Sequence, residues 1–324
     1  GRIRGSIEYF DISTENLIVR DNAKISSTAI DAGAPFTNFG EVNNKGVDFD
    51  IVYADETNSG FNYEVAFNLS SYKNTVVSLI GSKGGVPISG DGNRSGNPTR
   101  SEIGQPISTF YGRQVTGIHQ TGPLAGRLKY LDIDSAARDG VPDGIIDDND
   151  RTKIGDPHPD LIFGVNLNLA YKAWDMSMFW NGSLGNDIFD YTALYYETPY
   201  FFNGGRSTAV LDSWSPTNTG AALPALSETI LNNEFTSANS FFVRDGSYLR
   251  LRTLQIGYTL PDTIASKLGA SSARVYYNGT NLLTLTDFTG LDPEVPRSGA
   301  LDIGVYSAQY PTNSVSSLGI NIKF

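Results

Sequence analysis

Seven aspartates and one arginine lie between residues 132 and 150, the densest concentration of charge in this chain of 324 residues. Carboxylate oxygens are the ligands that Ca²⁺ prefers. Like charges at this density repel one another and disfavour a compact fold unless a counterion or solvent screens them. The run therefore predicts either a calcium site or a solvated acidic loop, and we favour the calcium site.

The second half of the run matches the calcium loop of an EF-hand. Asp143 corresponds to position 5 of that loop, and Gly144 corresponds to position 6, where the chain turns sharply. The carbonyl of Ile145 corresponds to position 7, and Asp147 and Asp150 correspond to positions 9 and 12. Position 12 holds Asp rather than the bidentate Glu, so we expect weak affinity, about 10⁻⁴ to 10⁻³ M.

The first half of the run departs from the EF-hand pattern. Asp132 and Asp134 would supply positions 1 and 3, but eight residues separate Asp134 from Asp143 where one is expected. Asp139 could take position 1 instead, but Val141 then falls where a ligand should be. The candidate cofactor is Ca²⁺, and its expected ligands are Asp132, Asp134, Asp143, Ile145, Asp147 and Asp150.

The segment 185–246 is rich in aromatic side chains. Aromatic faces stack on sugar rings, and they also anchor protein interfaces. Two interpretations stay open: contact with an oligosaccharide or peptide, and packing against a protein partner or neighbouring loops. Packing is favoured. The candidate contact residues are Tyr191, Tyr195, Tyr196, Tyr200, Phe202 and Trp214.

Several classes of protein are excluded by residue type. The chain has no cysteine, so it has no disulfide, no thiolate metal site and no cysteine nucleophile. Its net charge of −11 argues against a nucleic-acid surface. His119 and His158 lie without a nucleophile motif beside them, and His158 stands between two prolines, which favours a turn role. We expect no catalytic residues and no enzymatic activity.

The elements that must position these residues are strands, because apolar and polar residues alternate with a period of two. Between residues 161 and 171, one face is apolar and the other is small or polar. No apolar run reaches the roughly 18 residues that a transmembrane helix requires, whereas a barrel of alternating strands fits the 40% hydrophobic content. The residues expected to face outward include Leu161, Phe163, Val165, Trp174, Met176, Ile320 and Ile322.

Connection lengths strengthen the barrel prediction. We expect eight strands, at residues 1–10, 45–53, 61–72, 161–171, 174–184, 247–259, 273–283 and 316–324. The connections alternate between long and short, as in outer-membrane barrels with long extracellular loops and short periplasmic turns. A strand-like segment at 104–116 breaks this parity, so we assign it to the extracellular excursion 73–160. The predicted fold is all-β, an arc of an antiparallel transmembrane β-barrel larger than eight strands.

A soluble β-sandwich gives a similar alternation, because one face of each of its strands packs on a second sheet. Two details favour the membrane barrel. The polar faces carry charged residues on strand after strand, as a wet lumen allows, and aromatics such as Tyr171 and Trp174 lie at strand ends, as in an interfacial girdle. In strand 247–259 the alternation changes phase between Leu251 and Leu254, as a bulge would cause.

Five further segments occur in a fixed order along nearly the whole chain. They are NNKGVDF at 43–49, IGDPHPD at 154–160, SYLRLRTLQIGYTLP at 247–261, RVY with GTNLLT at 274–284, and GLDPEV at 290–295. Together they resemble the SusC/RagA family of TonB-dependent outer-membrane transporters. The final residues 318–324, which alternate and end on Phe324, also resemble the signal that the barrel assembly machinery reads.

The resemblance implies a 22-stranded barrel with an N-terminal plug and TonB box, covered by a SusD-like surface lipoprotein. Residues 1–324 would be the C-terminal portion of the barrel domain, because plug and TonB box are absent and Gly1 opens directly into a strand pattern. The implied partners are the SusD-like lipoprotein, TonB through the plug region, outer-membrane lipid, and an oligosaccharide or peptide substrate. The implied location is the bacterial outer membrane.

The implied function is that of a barrel wall with extracellular loops in a nutrient importer. The alternative is a soluble or surface-anchored β-sandwich that binds glycans or calcium through its loops. Solubility separates the two, because a binding module should purify without detergent.

Overall fold

Eight long strands form one sheet in the computed structural model, which describes residues 1–20, 36–38, 40–79, 87–135, 137–198, 204–226, 235, 237–296 and 299–324. The sheet follows chain order, and each strand is antiparallel to its neighbours. The strands are β1 (Ile3–Glu15), β2 (Gly40–Glu56), β3 (Phe61–Leu79), β4 (Leu161–Tyr171), β5 (Trp174–Leu184), β6 (Tyr248–Thr259), β7 (Ser272–Thr286) and β8 (Val315–Lys323).

All eight predicted strands are present, but β1, β2, β3 and β7 extend beyond their predicted bounds. Most of the added pairs of β2 and β3, such as Asn43 with Thr75 and Asn44 with Asn74, are polar, which is why alternation did not reveal them. Asn74 donates from Nδ2 to Oδ1 of Asn44 at 2.8 Å, and both residues lie opposite one another in the ladder. Side-chain amides therefore stabilise the part of the sheet that apolar alternation does not mark.

Short turns join neighbouring strands at one end of the sheet, as predicted. Residues 172–173 join β4 to β5, and Lys172 takes a positive φ of 55° there. Residues 57–60 join β2 to β3. Between β6 and β7, a helical turn (Asp262–Ala265) and a 3₁₀ turn (Ser266–Leu268) end at Gly269, whose φ is +69°. A residue with a side chain would be strained at that φ.

The predicted change of phase in β6 is a bulge. Phe179 of β5 lies opposite Thr253, and the next residue, Trp180, lies opposite Leu251, so Arg252 has no partner on β5. The register to β7 also shifts between Leu251 and Thr253. The bulge turns both Arg252 and Thr253 toward the polar side of the sheet.

The long connections form a separate loop layer. Its short strands are Ile18–Arg20 with Phe36–Asn38; Ile88–Ser89, Thr99–Ser101, Thr109–Arg113 and Arg151–Gly155; Val115–Ile118 with Leu128–Tyr130; and Asp187–Asp190, Val243–Asp245 and Val305–Tyr306. Its short helices are Asp148–Asp150, Ala193–Tyr196, Thr208–Asp212 and Ser240–Phe242. The segment 104–116 contributes strands to this layer and none to the eight-stranded sheet, as predicted.

The larger hydrophobic core lies within the loop layer, and a smaller one joins Val42 and Val76 of the sheet to the loops. Phe110, Phe189 and Phe242 are fully buried, and the ring centroids of Phe189 and Phe242 are 5.6 Å apart. Within the described ranges, no helix is long and apolar enough to cross a membrane.

Candidate functional site

One face of the eight-stranded sheet is apolar along its whole width. The register places Val165 opposite Phe67 on β3 and Trp180 on β5, and opposite residues share a face. The same face continues onto the two edge strands, where Ile7 is 76% exposed and Leu318 is 81% exposed. An apolar surface of this extent marks a membrane or protein contact. A sandwich would cover it with a second sheet, so the sandwich alternative is not favoured.

Aromatic side chains collect at the end of the sheet where the short turns lie. The rings of Trp174 and Tyr258 are 4.7 Å apart, and those of Phe61 and Tyr171 are 6.3 Å apart. Tyr171 and Trp174 flank the turn between β4 and β5. Rings with an apolar body and a polar edge suit the boundary between lipid and water.

The opposite face of the sheet is polar and held by side-chain hydrogen bonds. Glu64 accepts from Arg4 and from Asn168, each at 3.3 Å, and Ser177 donates to Asn168 Oδ1 at 2.7 Å. Arg274 forms an ion pair with Asp175, with Nε 2.9 Å from Oδ1. These groups tolerate water, as the wall of a wet lumen requires.

The densest polar network joins this face to the loop 287–314. Arg250 on β6 is only 3% exposed; its Nη2 lies 2.6 Å from Oδ1 of Asp292, and it also forms an ion pair with Glu294. Glu294 pairs in addition with Arg252 and accepts from the Tyr248 hydroxyl at 2.9 Å. The loop is therefore tied to β6 by two carboxylates and two guanidiniums.

Asp292 is the better buried carboxylate of that network. Burial alone would raise its pKa, but hydrogen bonds from Arg250, from Thr312 and from the backbone N–H of Glu294 together hold the pKa below its usual value. The segments 247–261 and 290–295 thus meet in space. Alternation does not reveal this contact, although two arginines in one motif and two acids in the other are a usable signal in the sequence.

The Asp-rich run forms a compact loop around Asp150. Its carboxylate is fully buried and accepts from the backbone N–H groups of Ile133 and Asp147 at 2.9 and 2.8 Å. Burial alone would raise the pKa of Asp150, but these backbone bonds, with Arg113 nearby, hold it below its usual range. Asp147 caps the 3₁₀ helix Asp148–Asp150 by accepting from the N–H of Asn149.

The other expected calcium ligands bind neighbouring backbone groups. Asp132 accepts from the N–H of Gly144 at 2.7 Å, and Asp143 accepts from that of Ile145 at 2.9 Å. Asp134 accepts from Gly140 at 2.8 Å. Oδ1 of Asp132 is buried without a hydrogen-bond partner. Among the described residues, no three acidic or histidine side chains come together closely enough to hold a metal ion, so calcium binding stays a prediction.

The described aromatic candidates of segment 185–246 all contact their own loop layer. The hydroxyl groups of Tyr191 and Tyr195 form a hydrogen bond of 2.6 Å. Trp214 donates from Nε1 to Oε1 of Gln120 at 2.9 Å. Tyr196 donates to the buried carboxylate of Asp190 at 2.8 Å, and burial raises the pKa of Tyr196. Tyr200 and Phe202 lie outside the described residues. Whether the candidates touch a substrate stays a prediction.

A cavity of about 410 Å³ opens between the polar face of the sheet and the loops. Tyr72 and Tyr248 line it from the sheet, and His158 lines it from the loop side. The backbone N–H of His158 donates to Asp156 at 3.0 Å, which agrees with the predicted turn. The cavity therefore belongs to the polar side of the sheet, where a lumen would lie.

Comparison with known proteins identifies relatives along the whole chain, although no family model matches it. The chain is 35% identical to TonB-dependent receptor P3 of Formosa agariphila and 24% identical to TonB-dependent receptor SusC of Bacteroides thetaiotaomicron. It is covered completely in both alignments and spans 32% and 30% of those proteins, about a third of their length.

Solved structures show the same fold. The chain superposes over its whole length on a third of a chain in the structure of the RagAB peptide transporter, with a TM-score of 0.78 at 20% identity. A closed-closed state of the RagAB peptide importer gives a TM-score of 0.77 at 22% identity. The homologues of this chain are TonB-dependent receptors, as its motifs indicated, and its sheet has the fold of part of a β-barrel.

Proposed function

We propose that residues 1–324 form a C-terminal part of the barrel of a TonB-dependent outer-membrane importer. The observation that carries the proposal is the single sheet of eight antiparallel strands with one apolar and one polar face. The apolar face would lie against lipid, the polar face would line the lumen, and the long connections, including 73–160, would be extracellular loops.

The two edge strands support an arc rather than a closed small barrel. Within the part of the chain that the structure describes, β1 and β8 pair on one side only, and nearly all of their residues are exposed. Backbone N–H and C=O groups without partners are not tolerated in lipid. In the complete protein, β8 would pair with the first strand of the barrel and β1 with the strand that precedes it.

The relatives support a substrate and partners by analogy. RagAB is described as a peptide transporter, and SusC is a TonB-dependent receptor. We propose an oligosaccharide or peptide as substrate, a SusD-like lipoprotein as the partner of the loops, and TonB acting through a plug region elsewhere in the protein. We also propose that the Asp-rich loop binds Ca²⁺, for which the unpartnered Oδ1 of Asp132 leaves one free ligand atom.

Expression of two forms in an outer membrane tests the proposal. The complete protein should insert and migrate as a compact, heat-modifiable barrel, whereas residues 1–324 alone should not, because both sheet edges would face hydrocarbon. Insertion of the fragment as a compact species would replace the arc by a self-contained barrel. A complete protein that stays soluble without detergent would restore the binding-module alternative.

A further inference from the structure

The apolar face of the sheet ends abruptly on strands β1, β2 and β3. Along β2 this face carries four apolar residues in succession, Val47, Phe49, Ile51 and Tyr53. The next residue of the same face toward the long connections is Lys45, and the register places Asp11 of β1 and Lys73 of β3 opposite it. We call Asp11, Lys45 and Lys73 the charged row. It follows directly on the last apolar pair, Tyr9 and Val47.

A second charged group ends the apolar stretch on the side of the short turns. Asp55 follows Tyr53 on this face; it forms an ion pair with Arg2 at 3.0 Å and accepts from the Tyr53 hydroxyl at 3.3 Å. Lys45 and Asp55 are ten residues apart on β2, roughly 33 Å at about 3.3 Å per residue. A strand tilted by about 35 to 45° rises roughly 25 Å over that length, which is the height of the apolar band of outer-membrane barrels.

The height of the apolar stretch fixes the level of the charged row. If the apolar face lies against lipid, as proposed above, hydrocarbon extends from Asp55 to Lys45. The charged row then falls where the hydrocarbon ends and the lipid headgroups begin, on the side of the long connections.

Only one of the two lysines of the charged row has an acidic partner. Nζ of Lys45 lies 3.1 Å from Oδ2 of Asp11, and Oδ1 of Asp11 accepts from Asn43 at 2.6 Å. Lys73 is exposed, and among the described residues no carboxylate forms an ion pair with it. The nearest other acid on this face of β2 is Glu41, four residues from Lys45 and so roughly 13 Å farther along the strand. Lys73 is therefore an accessible cation without a counter-charge.

The surroundings of Lys73 leave room for an anion. An open groove of about 580 Å³ lies over the charged row, and Lys73 lines it together with the polar side chains of Ser13, Asn43 and Thr75. Like charges directly opposite one another on neighbouring strands are unfavourable, and Asp11 compensates only Lys45 of the two lysines. An anion bound at Lys73 would compensate the second charge.

We propose that Lys73 binds the headgroup phosphate of an anionic lipid at the level of the charged row. This inference rests on the proposed lipid contact of the apolar face and names the lipid chemistry at its rim. Lysine is a flexible point charge, so it can follow a mobile phosphate while its alkyl stem lies along apolar surface. An acidic protein partner would offer the same charge, but the charged row continues a lipid-facing surface on the same three strands, so lipid is the occupant that the sheet itself brings to Lys73.

Fluorescence quenching in vesicles tests the proposal on the complete protein. The chain has no cysteine, so Val47→Cys takes a fluorophore directly below the charged row, with any cysteine elsewhere in the complete protein replaced by serine. The vesicles are phosphatidylcholine with a small fraction of quencher lipid, either phosphatidylglycerol or phosphatidylcholine, that carries a nitroxide near the top of one acyl chain. At low salt the anionic quencher should be enriched about fivefold over the neutral one at the label, and the enrichment should shrink as salt rises.

Variants locate the contact. Lys73→Gln should abolish the preference for the anionic lipid and leave quenching by the neutral lipid unchanged, whereas Lys73→Arg keeps the charge and should retain the preference. Lys172→Gln is the matched control, because it removes an exposed cation from the turn between β4 and β5 at the opposite end of the sheet. It should leave the preference at residue 47 unchanged.

Each contrary result has a distinct meaning. Equal quenching by the two lipids, or a preference that persists in Lys73→Gln, would overturn the lipid site, while strong quenching by both lipids would show that the proposed barrel wall survives that failure. Absence of quenching by either lipid at residue 47 would overturn the lipid site together with the lipid contact of this part of the apolar face.

Discussion

Arg250 is the residue on which the docking of loop 287–314 depends most. It is buried and faces Asp292 and Glu294, so its removal leaves a carboxylate in a poorly solvated place. Removing one partner of a buried ion pair usually costs much more stability than removing an exposed pair, because the remaining charge stays desolvated.

Arg250→Met should therefore release the loop. We expect a loss of about 3 to 5 kcal/mol in the free energy of local opening, seen as faster amide hydrogen exchange across residues 287–314. Arg4→Met is the matched control, because Arg4 forms its ion pair with Glu64 at an exposed site, and it should cost below about 1 kcal/mol. Equal effects of the two variants would contradict the network.

The docking of loop 287–314 onto β6 should depend on pH only under acidic conditions. Because the pKa of Asp292 is lowered in the folded state, its contribution to stability is complete above the usual value of 3.8 and is lost as pH falls through the lower folded pKa. Exchange protection of 287–314, corrected for the intrinsic pH dependence of exchange, should stay constant from about pH 7 to 5 and fall below about 3.8. In Asp292→Asn that acid step should be missing; a step near neutral pH would argue for another group.

At the scale of elements, the faces of β4 provide the sharpest contrast. Val165 belongs to the apolar face and its neighbour Asn166 to the polar one. Val165→Arg should destabilise the complete barrel by about 2 to 4 kcal/mol, the cost of a cation on a lipid face near the midplane. Asn166→Arg should cost far less. Denaturant unfolding in lipid vesicles measures both, and similar costs would mean that the faces are not divided between lipid and water.

Calcium binding is the prediction for the Asp-rich loop. Asp143→Ala should abolish a weak site with a dissociation constant around 10⁻⁴ to 10⁻³ M, because it removes the ligand expected at position 5. Asp287→Ala removes one exposed acid outside the loop and serves as the control for net charge. Calorimetric titration of the intact protein with millimolar calcium tests this prediction. Indistinguishable curves for wild type and Asp143→Ala would leave the solvated acidic loop as the remaining interpretation.

The sequence revealed the sheet better than the loops. Apolar and polar residue types alternate with a period of two along the strands of the sheet, so local pattern alone locates β4 and β5 to the residue. The contacts of Arg250 with Asp292, and of Arg100 with Tyr111, join residues distant in the chain or on neighbouring short strands. No periodic pattern records such contacts, because they depend on how the connections fold back.

At the scale of the whole molecule, we expect the eight strands to form a barrel wall with lipid on one side and water on the other. The chain has no cysteine, so single cysteines can be introduced along β4 without background from this region. Any cysteine elsewhere in the complete protein would be replaced by serine. Nitroxide labels at successive positions from 161 to 171 then report which environment each side chain meets.

The decisive measurement is the collision rate of each label with oxygen, which concentrates in lipid, and with a water-soluble nickel chelate, in the complete protein reconstituted in vesicles. We predict strict alternation, with oxygen favoured at Phe163, Val165 and Leu167 and nickel favoured at Asn166 and Asn168. Labels that meet the nickel chelate equally on both faces, or an alternation of opposite phase, would contradict the barrel wall.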